Sequence, residues 1–158
     1  MMNQSELDRI KILVEEFLKK ITITGDVRVS QFLGEGSRVA ENVEVDITLE
    51  EPQFLIGQNG ETLSDMGRLL SIMLSRALAK SIYLKLDIND YKKKKTDYIK
   101  NLAQSLADEV AFTKEKKALP PMSSYERMVV HSELSQRQDV KTESQGEAQA
   151  RHVVILPQ

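Results

Sequence analysis

The sequence predicts an α+β protein built from two small domains. Three observations carry this reading: helical and strand periodicities alternate through the first half, an amphipathic helix restarts directly after Asn89-Asp90, and the charge changes sign between the halves. Residues 1–89 hold 10 Lys/Arg against 14 Asp/Glu and residues 90–158 hold 12 against 10, summing to 22 and 24 and a net charge of -2. A chain of 158 residues accommodates two modules of roughly 60 to 90 residues each.

Residues 5–21 set Leu7, Ile10, Leu13, Val14, Phe17, Leu18 and Ile21 at helical spacing with Lys and Glu between them, which predicts an amphipathic helix. Val27 and Val29, then Val43, Val45, Ile47 and Leu49, alternate with polar residues. With Gly34-Glu35-Gly36-Ser37 between the two runs they predict a hairpin. Residues 52–56 form a short apolar turn or helix leading into Gly57-Gln58-Asn59-Gly60. A long helix follows through Leu63, Met66, Leu70, Met73, Leu74, Ala77 and Leu78, with Met66 and Met73 as core filler. Ile82, Leu84, Leu86 and Ile88 alternate as a closing strand, so the first unit is a layer of helices on a small sheet.

The second unit starts with a helix whose stripe is Tyr91, Tyr98, Leu102, Leu106 and Val110. Ala118-Leu-Pro-Pro121 interrupts it. Ser123-x-x-Glu126 is a capping box opening a helix through about Leu134. A loop rich in Gln, Thr, Ser and Gly comes next, and residues 151–156 close the chain as a strand. Either side of Asn89-Asp90 the link is short, which sets the domains at 1–89 and 90–158.

Composition removes several function classes. No run approaches the roughly 18 apolar residues of a membrane span, and the N-terminal residues carry acids where an export signal needs a basic and then an apolar stretch. A cytoplasmic protein without membrane association is therefore expected. With no cysteine there are no disulfides and no thiolate chemistry. No Walker A loop, His-Glu-x-x-His or Gly-x-Ser-x-Gly is present, so the sequence calls for no cofactor, no metal and no enzyme. An RNA-cleaving alternative would need His131 as general base, oriented by Glu126 or Glu143. The overall pI near 5.8 argues against non-specific coating of DNA, leaving room for a local basic footprint.

Two motifs supply that footprint. In Gly57-Gln58-Asn59-Gly60, missing side chains let a sugar-phosphate backbone approach the first turn of a helix. In Arg127-x-x-x-His131 both side chains share one helical face, the Arg as a fork for phosphate and the His as a donor or stacking surface. The plainer alternatives are a turn for the first motif, and for the second a packing histidine and a surface ion pair of Arg127 with Glu126 or Glu143. Lys92, Lys93 and Lys95, in a run that wraps one helical turn, extend the basic strip as affinity rather than specificity. Stacking is not the main term, with four Tyr, four Phe and no Trp.

The string Phe54-Leu-Ile-Gly-Gln-Asn-Gly-Glu-Thr-Leu63, in its element order, resembles a KH domain of type II, whose Gly-x-x-Gly clamps single-stranded nucleic acid. Where that family usually carries Lys or Arg, Gln58 and Asn59 offer neutral hydrogen bonds. Pro121-Met-Ser-Ser-Tyr-Glu-Arg-Met-Val-Val-His131, Val140-Lys-Thr-Glu-Ser-Gln-Gly-Glu147 and then Arg151 resemble the α/β domain family named for its Arg-x-x-x-His pair, spoken as "R-three-H". That resemblance adds Ser144 and Arg151 to the site. The two units in this order resemble the Jag-type (SpoIIIJ-associated, KhpB-like) proteins over nearly the whole chain. The resemblance implies binding of single-stranded RNA, or of single-stranded DNA, in post-transcriptional control or as an RNA chaperone, with links to cell shape. It also implies a small KH-domain protein as partner, or a homodimer. Larger members add an N-terminal domain and a long linker without counterpart here, so a membrane- or division-linked role is not carried over. A protein-interaction adaptor with secondary RNA binding is the alternative, suited to the acidic residues 1–51.

Overall fold

Asn3 starts the first helix through a capping box, its side chain accepting the Glu6 N–H at 2.9 Å while Glu6 accepts the Asn3 N–H at 3.0 Å. The computed structural model describes residues 2–32 and 40–158 and divides into two compact units, Met1–Lys92 and Lys93–Gln158. The glycine-rich connection expected at 34–37 lies outside the described residues.

In unit 1, α1 (Gln4–Lys20) buries Ile10, Val14 and Leu18, the centre of the predicted apolar stripe. Strands β1 (Asp26–Gln31) and β2 (Glu41–Thr48) pair antiparallel, as the hairpin reading requires, with Val27 opposite Ile47 and Val29 opposite Val45. A short helix, α2 (Gln53–Ile56), and a long one, α3 (Glu61–Leu78), carry the chain to β3 (Ile82–Ile88). That crossover makes β3 parallel to β2, pairing Val43 with Leu84, Val45 with Leu86 and Ile47 with Ile88, in a sheet ordered β1-β2-β3. Leu63, Met66, Leu70 and Leu74 of α3 join the buried face of the sheet. Met73 is 38% exposed, so of the two methionines placed in the core only Met66 belongs there. Ser71 and Ser75 lock the start of β3 to α3: the Ser71 hydroxyl donates to the Ile82 carbonyl at 2.9 Å and the Ser75 hydroxyl accepts the Ile82 N–H at 3.1 Å.

Asn89 and Asp90, with φ of 51° and 56°, terminate β3 in left-handed backbone, which short polar residues tolerate. The Asn89 amide also closes the sheet end, accepting from the Leu49 N–H and donating to the Leu49 carbonyl, both at 2.8 Å.

The helix α4 (Tyr91–Thr113) buries Ile99, Ala103, Ala107 and Val110 in unit 2. This corrects the predicted stripe: Tyr98 is 65% exposed, and Leu102 and Leu106 flank the core rather than form it. Small alanines facing inward let the helix approach its neighbours closely, so the contact line follows the small side chains. After β4 (Lys117–Ala118) and the Pro120-Pro121 break, α5 (Ser124–Leu134) begins at the predicted capping box. The segment read as a loop contains β5 (Val140–Gln145), and β6 (His152–Pro157) closes the chain. The three strands form an antiparallel sheet ordered β4-β6-β5, covered by Val129, Val130 and Leu134 of α5. Both units are thus α+β.

Candidate nucleic-acid interface

Gly57 ends α2 with its N–H donated to the Gln53 carbonyl at 2.9 Å. Its φ of 71° and ψ of -175° lie in a region open essentially to glycine alone. An added Cβ would stand 2.0 Å from the Thr62 Oγ1 and 2.7 Å from its Cβ, so the backbone is pressed onto the first turn of α3. Asn59 and Gly60 are also left-handed, at φ 53° and 83°, and a Cβ on Gly60 would meet the Tyr91 ring at 2.8 Å. Gln58 and Asn59 are exposed, and no side chain caps the start of α3. Glycine backbone therefore lies at the opening of a long helix, on the positive side of its dipole, with the Gly60 N–H bonded to the Gly57 carbonyl at 3.4 Å and the Glu61 N–H to the Gln58 carbonyl.

Beside the loop a groove of about 520 Å³ runs between α3 and β3. Leu63, Leu84 and Leu86 give it an apolar floor, Tyr83 stands on the strand side, and Arg68 and Lys92 bring cationic side chains to it. Arg68 and Tyr83 line this candidate surface, and motif reading missed both. Tyr83 carried a signal, an aromatic out of phase with the buried residues of its strand; Arg68 carried none.

In unit 2, Arg127 and His131 sit one turn apart on α5 and do different work. The Arg127 Nη1 donates to the Met122 carbonyl at 2.9 Å and Nη2 to the Ser124 hydroxyl at 3.0 Å. Among the described residues it has no carboxylate partner, so its charge is uncompensated. Arg137, by contrast, lies between Asp108 and Asp139, and bonds to both raise its pKa above the ordinary value. The Met122 N–H donates to the Arg151 carbonyl at 3.1 Å, so one residue ties the Arg127 guanidinium to the Arg151 backbone. Arg151 itself is exposed.

His131 is half-buried, with Nδ1 2.6 Å from the Thr142 Oγ1 and Nε2 3.0 Å from the Ser144 Oγ. Both ring nitrogens are taken by β5 hydroxyls, so the imidazole joins α5 to β5. Neither Glu126 nor Glu143 orients it, and the dyad needed for RNA cleavage is not formed. Nor do those acids pair with Arg127: Glu126 binds the Lys95 Nζ at 2.7 Å and Glu143 the Lys141 Nζ at 3.6 Å. Burial works against the Glu126 charge, yet hydrogen bonds from Lys95 and Ser123 hold its carboxyl below the ordinary 4.5.

The lysine run is divided. Lys92 lines the groove of unit 1, Lys93 is exposed, and Lys95 is half-buried against Glu126 as a structural cation. Among the described residues no cluster of His, Asp and Glu is placed to hold a metal ion, and no helix is long and apolar enough to cross a membrane.

Residues 97–157 match the R-three-H domain family. The chain is similar to the RNA-binding protein KhpB of Bacillus subtilis, 31% identical over 151 residues that cover 94% of this chain and 69% of the relative. It is 30% identical to the RNA-binding protein KhpB of Clostridium symbiosum over 140 residues, covering 89% of this chain and 63% of the relative. To the protein of the same name from Streptococcus pneumoniae it is 26% identical over 153 residues, 96% of this chain and 46% of the relative. The chain thus spans between 46% and 69% of the length of these three relatives.

Proposed function

The chain belongs to the KhpB family, and on that premise we propose that it binds single-stranded RNA without catalysis, through one surface on each unit. The observation that carries this is the backbone of Gly57, Asn59 and Gly60. Three positive-φ residues in a four-residue turn, glycine at both ends, clear side chains from the approach to the start of α3, where the helix dipole favours phosphate, the geometry of a KH-like clamp. The groove beside it suits bases, with its apolar floor, and phosphates, with Arg68 and Lys92. Because Gln58 and Asn59 are neutral, the turn itself releases few counterions, and the salt dependence of this surface falls to Arg68 and Lys92.

Unit 2 contributes charge. Arg127 keeps guanidinium N–H groups beyond the two it uses internally and faces no acid, and Arg151 is tied to the same Met122. His131 acts as a positioning residue that holds the Thr142 and Ser144 hydroxyls of β5 beside α5. In this reading the protein is an RNA chaperone or post-transcriptional regulator that handles backbone more than sequence.

Fluorescence anisotropy with labelled single-stranded RNA, matched single-stranded DNA and duplex RNA, each at two salt concentrations, tests this. Arg127→Ala should weaken binding to every sequence and lower the slope of log affinity against log salt by about one. Gln58→Asp with Asn59→Asp, which keeps both glycines, should weaken binding by about tenfold through charge at the clamp. Absence of binding by wild type at low salt overturns the proposal, and an unchanged slope for Arg127→Ala removes that residue from the site.

A further inference from the structure

A second groove on unit 1, of about 690 Å³, opens where the turn after α1, the start of β1 and the connection from β2 to α2 meet. Ile23 and Leu49 form its floor, and Phe54, 79% exposed, stands at its wall. Asp26, Glu50 and Glu51 line it and no Lys or Arg does. All three carboxylates are exposed, and none has a cationic partner among the described residues. Two backbone features shape the wall. Thr22, a β-branched residue, is held at φ 62°, an uncommon and costly conformation. Gly25 packs so closely that an added Cβ would lie 2.3 Å from the Leu49 Cδ2 and 2.7 Å from the Thr48 carbonyl.

The chemistry differs in kind from the RNA surfaces. Three uncompensated negative charges repel phosphodiester at this spot, while the apolar floor and the Phe54 ring would gain from covering. The volume falls within the roughly 300 to 1,000 Å³ of sites that take a compact ligand group. We propose that this groove docks a segment of a partner protein in which a bulky apolar side chain is flanked by Lys or Arg. The apolar side chain rests on Ile23, Leu49 and Phe54, and the flanking cations pair with Asp26, Glu50 and Glu51. The groove is half a recognition element whose missing half is cationic, and it does not rest on the RNA reading.

The probe is a peptide, Ala-Lys-Leu-Lys-Leu-Lys-Ala, titrated by NMR into the full chain at about 150 mM salt, where charges beyond roughly 8 Å are screened. The control replaces both leucines with serine. The proposal requires at least about tenfold tighter binding of the leucine peptide, amide shifts centred on residues 22–26 and 48–54, and loss of that binding in Glu50→Lys with Glu51→Lys. Both positions are exposed and outside the RNA surfaces, so the variant should bind RNA as well as wild type or better. Should that variant unfold, Glu51→Lys alone should give a smaller loss. Equal affinity for the two peptides, shifts centred elsewhere, or full binding by the charge-reversed protein would overturn the proposal. So would movement of the same amides by RNA, or by raising the protein concentration alone, each of which identifies a different occupant.

Discussion

Gly57 and Gly67 are both glycines of unit 1, and replacing them with alanine should move stability in opposite directions. At Gly57 the new Cβ would collide with Thr62 in backbone that only glycine adopts, so Gly57→Ala should cost about 1–3 kcal/mol. At Gly67, inside α3, the nearest atom to a new Cβ is the Leu86 Cβ at 3.8 Å, and Gly67→Ala should gain about 0.5–1 kcal/mol from helix propensity. Urea unfolding of the two variants measures the pair; equal effects would mean the loop is not held as described. The same contacts make Gly57→Asp a poor probe of RNA binding, because fold and function would fail together. His131 raises the same question of fold against function, because both of its ring nitrogens bond to β5 hydroxyls. His131→Phe removes two hydrogen bonds to β5 and should cost about 1–2 kcal/mol while leaving the salt slope of RNA binding near the wild-type value. A stability near wild type with a slope lowered by about one would instead make His131 a phosphate ligand.

At the scale of the element, α5 owes its start to a network of three residues. The Ser123 N–H donates to the Glu126 carboxylate at 2.7 Å, the Ser123 hydroxyl accepts the Glu126 N–H at 3.3 Å, and Lys95 reaches the same carboxylate from α4. Because the folded Glu126 value lies below the ordinary 4.5, its contribution is fully present above that pH and is lost as pH falls through the folded value. Glu126→Gln should therefore cost about 1–2 kcal/mol at pH 7, and the gap to wild type in urea midpoints should close as pH falls below 4.5 through the folded value. A gap that stayed constant with pH would assign the effect to shape rather than charge. This capping box was legible in the sequence because it is local: two residues three apart before an apolar run. The hairpin of β1 and β2 and the strand β3 were legible as alternation, whereas the parallel pairing of β3 with β2 was not. β5 was not, since Val140 is its one buried residue and the strand exists by pairing along β6. The α4 stripe was misread because large side chains drew the line that Ala103 and Ala107 occupy. The Gly-x-x-Gly loop was legible as a motif, whereas the groove holding Arg68 and Tyr83 depends on packing α3 against a strand, which no local pattern encodes.

Across the chain, the proposed binding divides along the charge difference between the halves, 10 Lys/Arg against 14 Asp/Glu and then 12 against 10. On the proposed reading, residues 1–89, with a net -4, meet RNA through the glycine turn and a groove lined by Arg68 and by Lys92 from the second half, while residues 90–158, with a net +2, present Arg127 without a carboxylate partner among the described residues. In that reading neither surface alone holds many phosphates, each binds weakly, and the covalent connection supplies an effective concentration for the second contact. Affinity should then depend on RNA length in a stepped way. Oligonucleotides of about four nucleotides, the span of one Gly-x-x-Gly clamp, should bind weakly and with a shallow salt slope. Longer strands that reach both surfaces should bind more tightly by about 10²-fold or more, and with a steeper slope as Arg127 and Arg151 join. Arg127→Ala should reduce the step while sparing the short oligonucleotides, and Gln58→Asp with Asn59→Asp should weaken both classes. Anisotropy titrations over about 4 to 24 nucleotides at low salt decide the matter. A gradual rise in proportion to the number of binding registers, the same for wild type and Arg127→Ala, would mean that one surface binds RNA and the second unit serves another purpose.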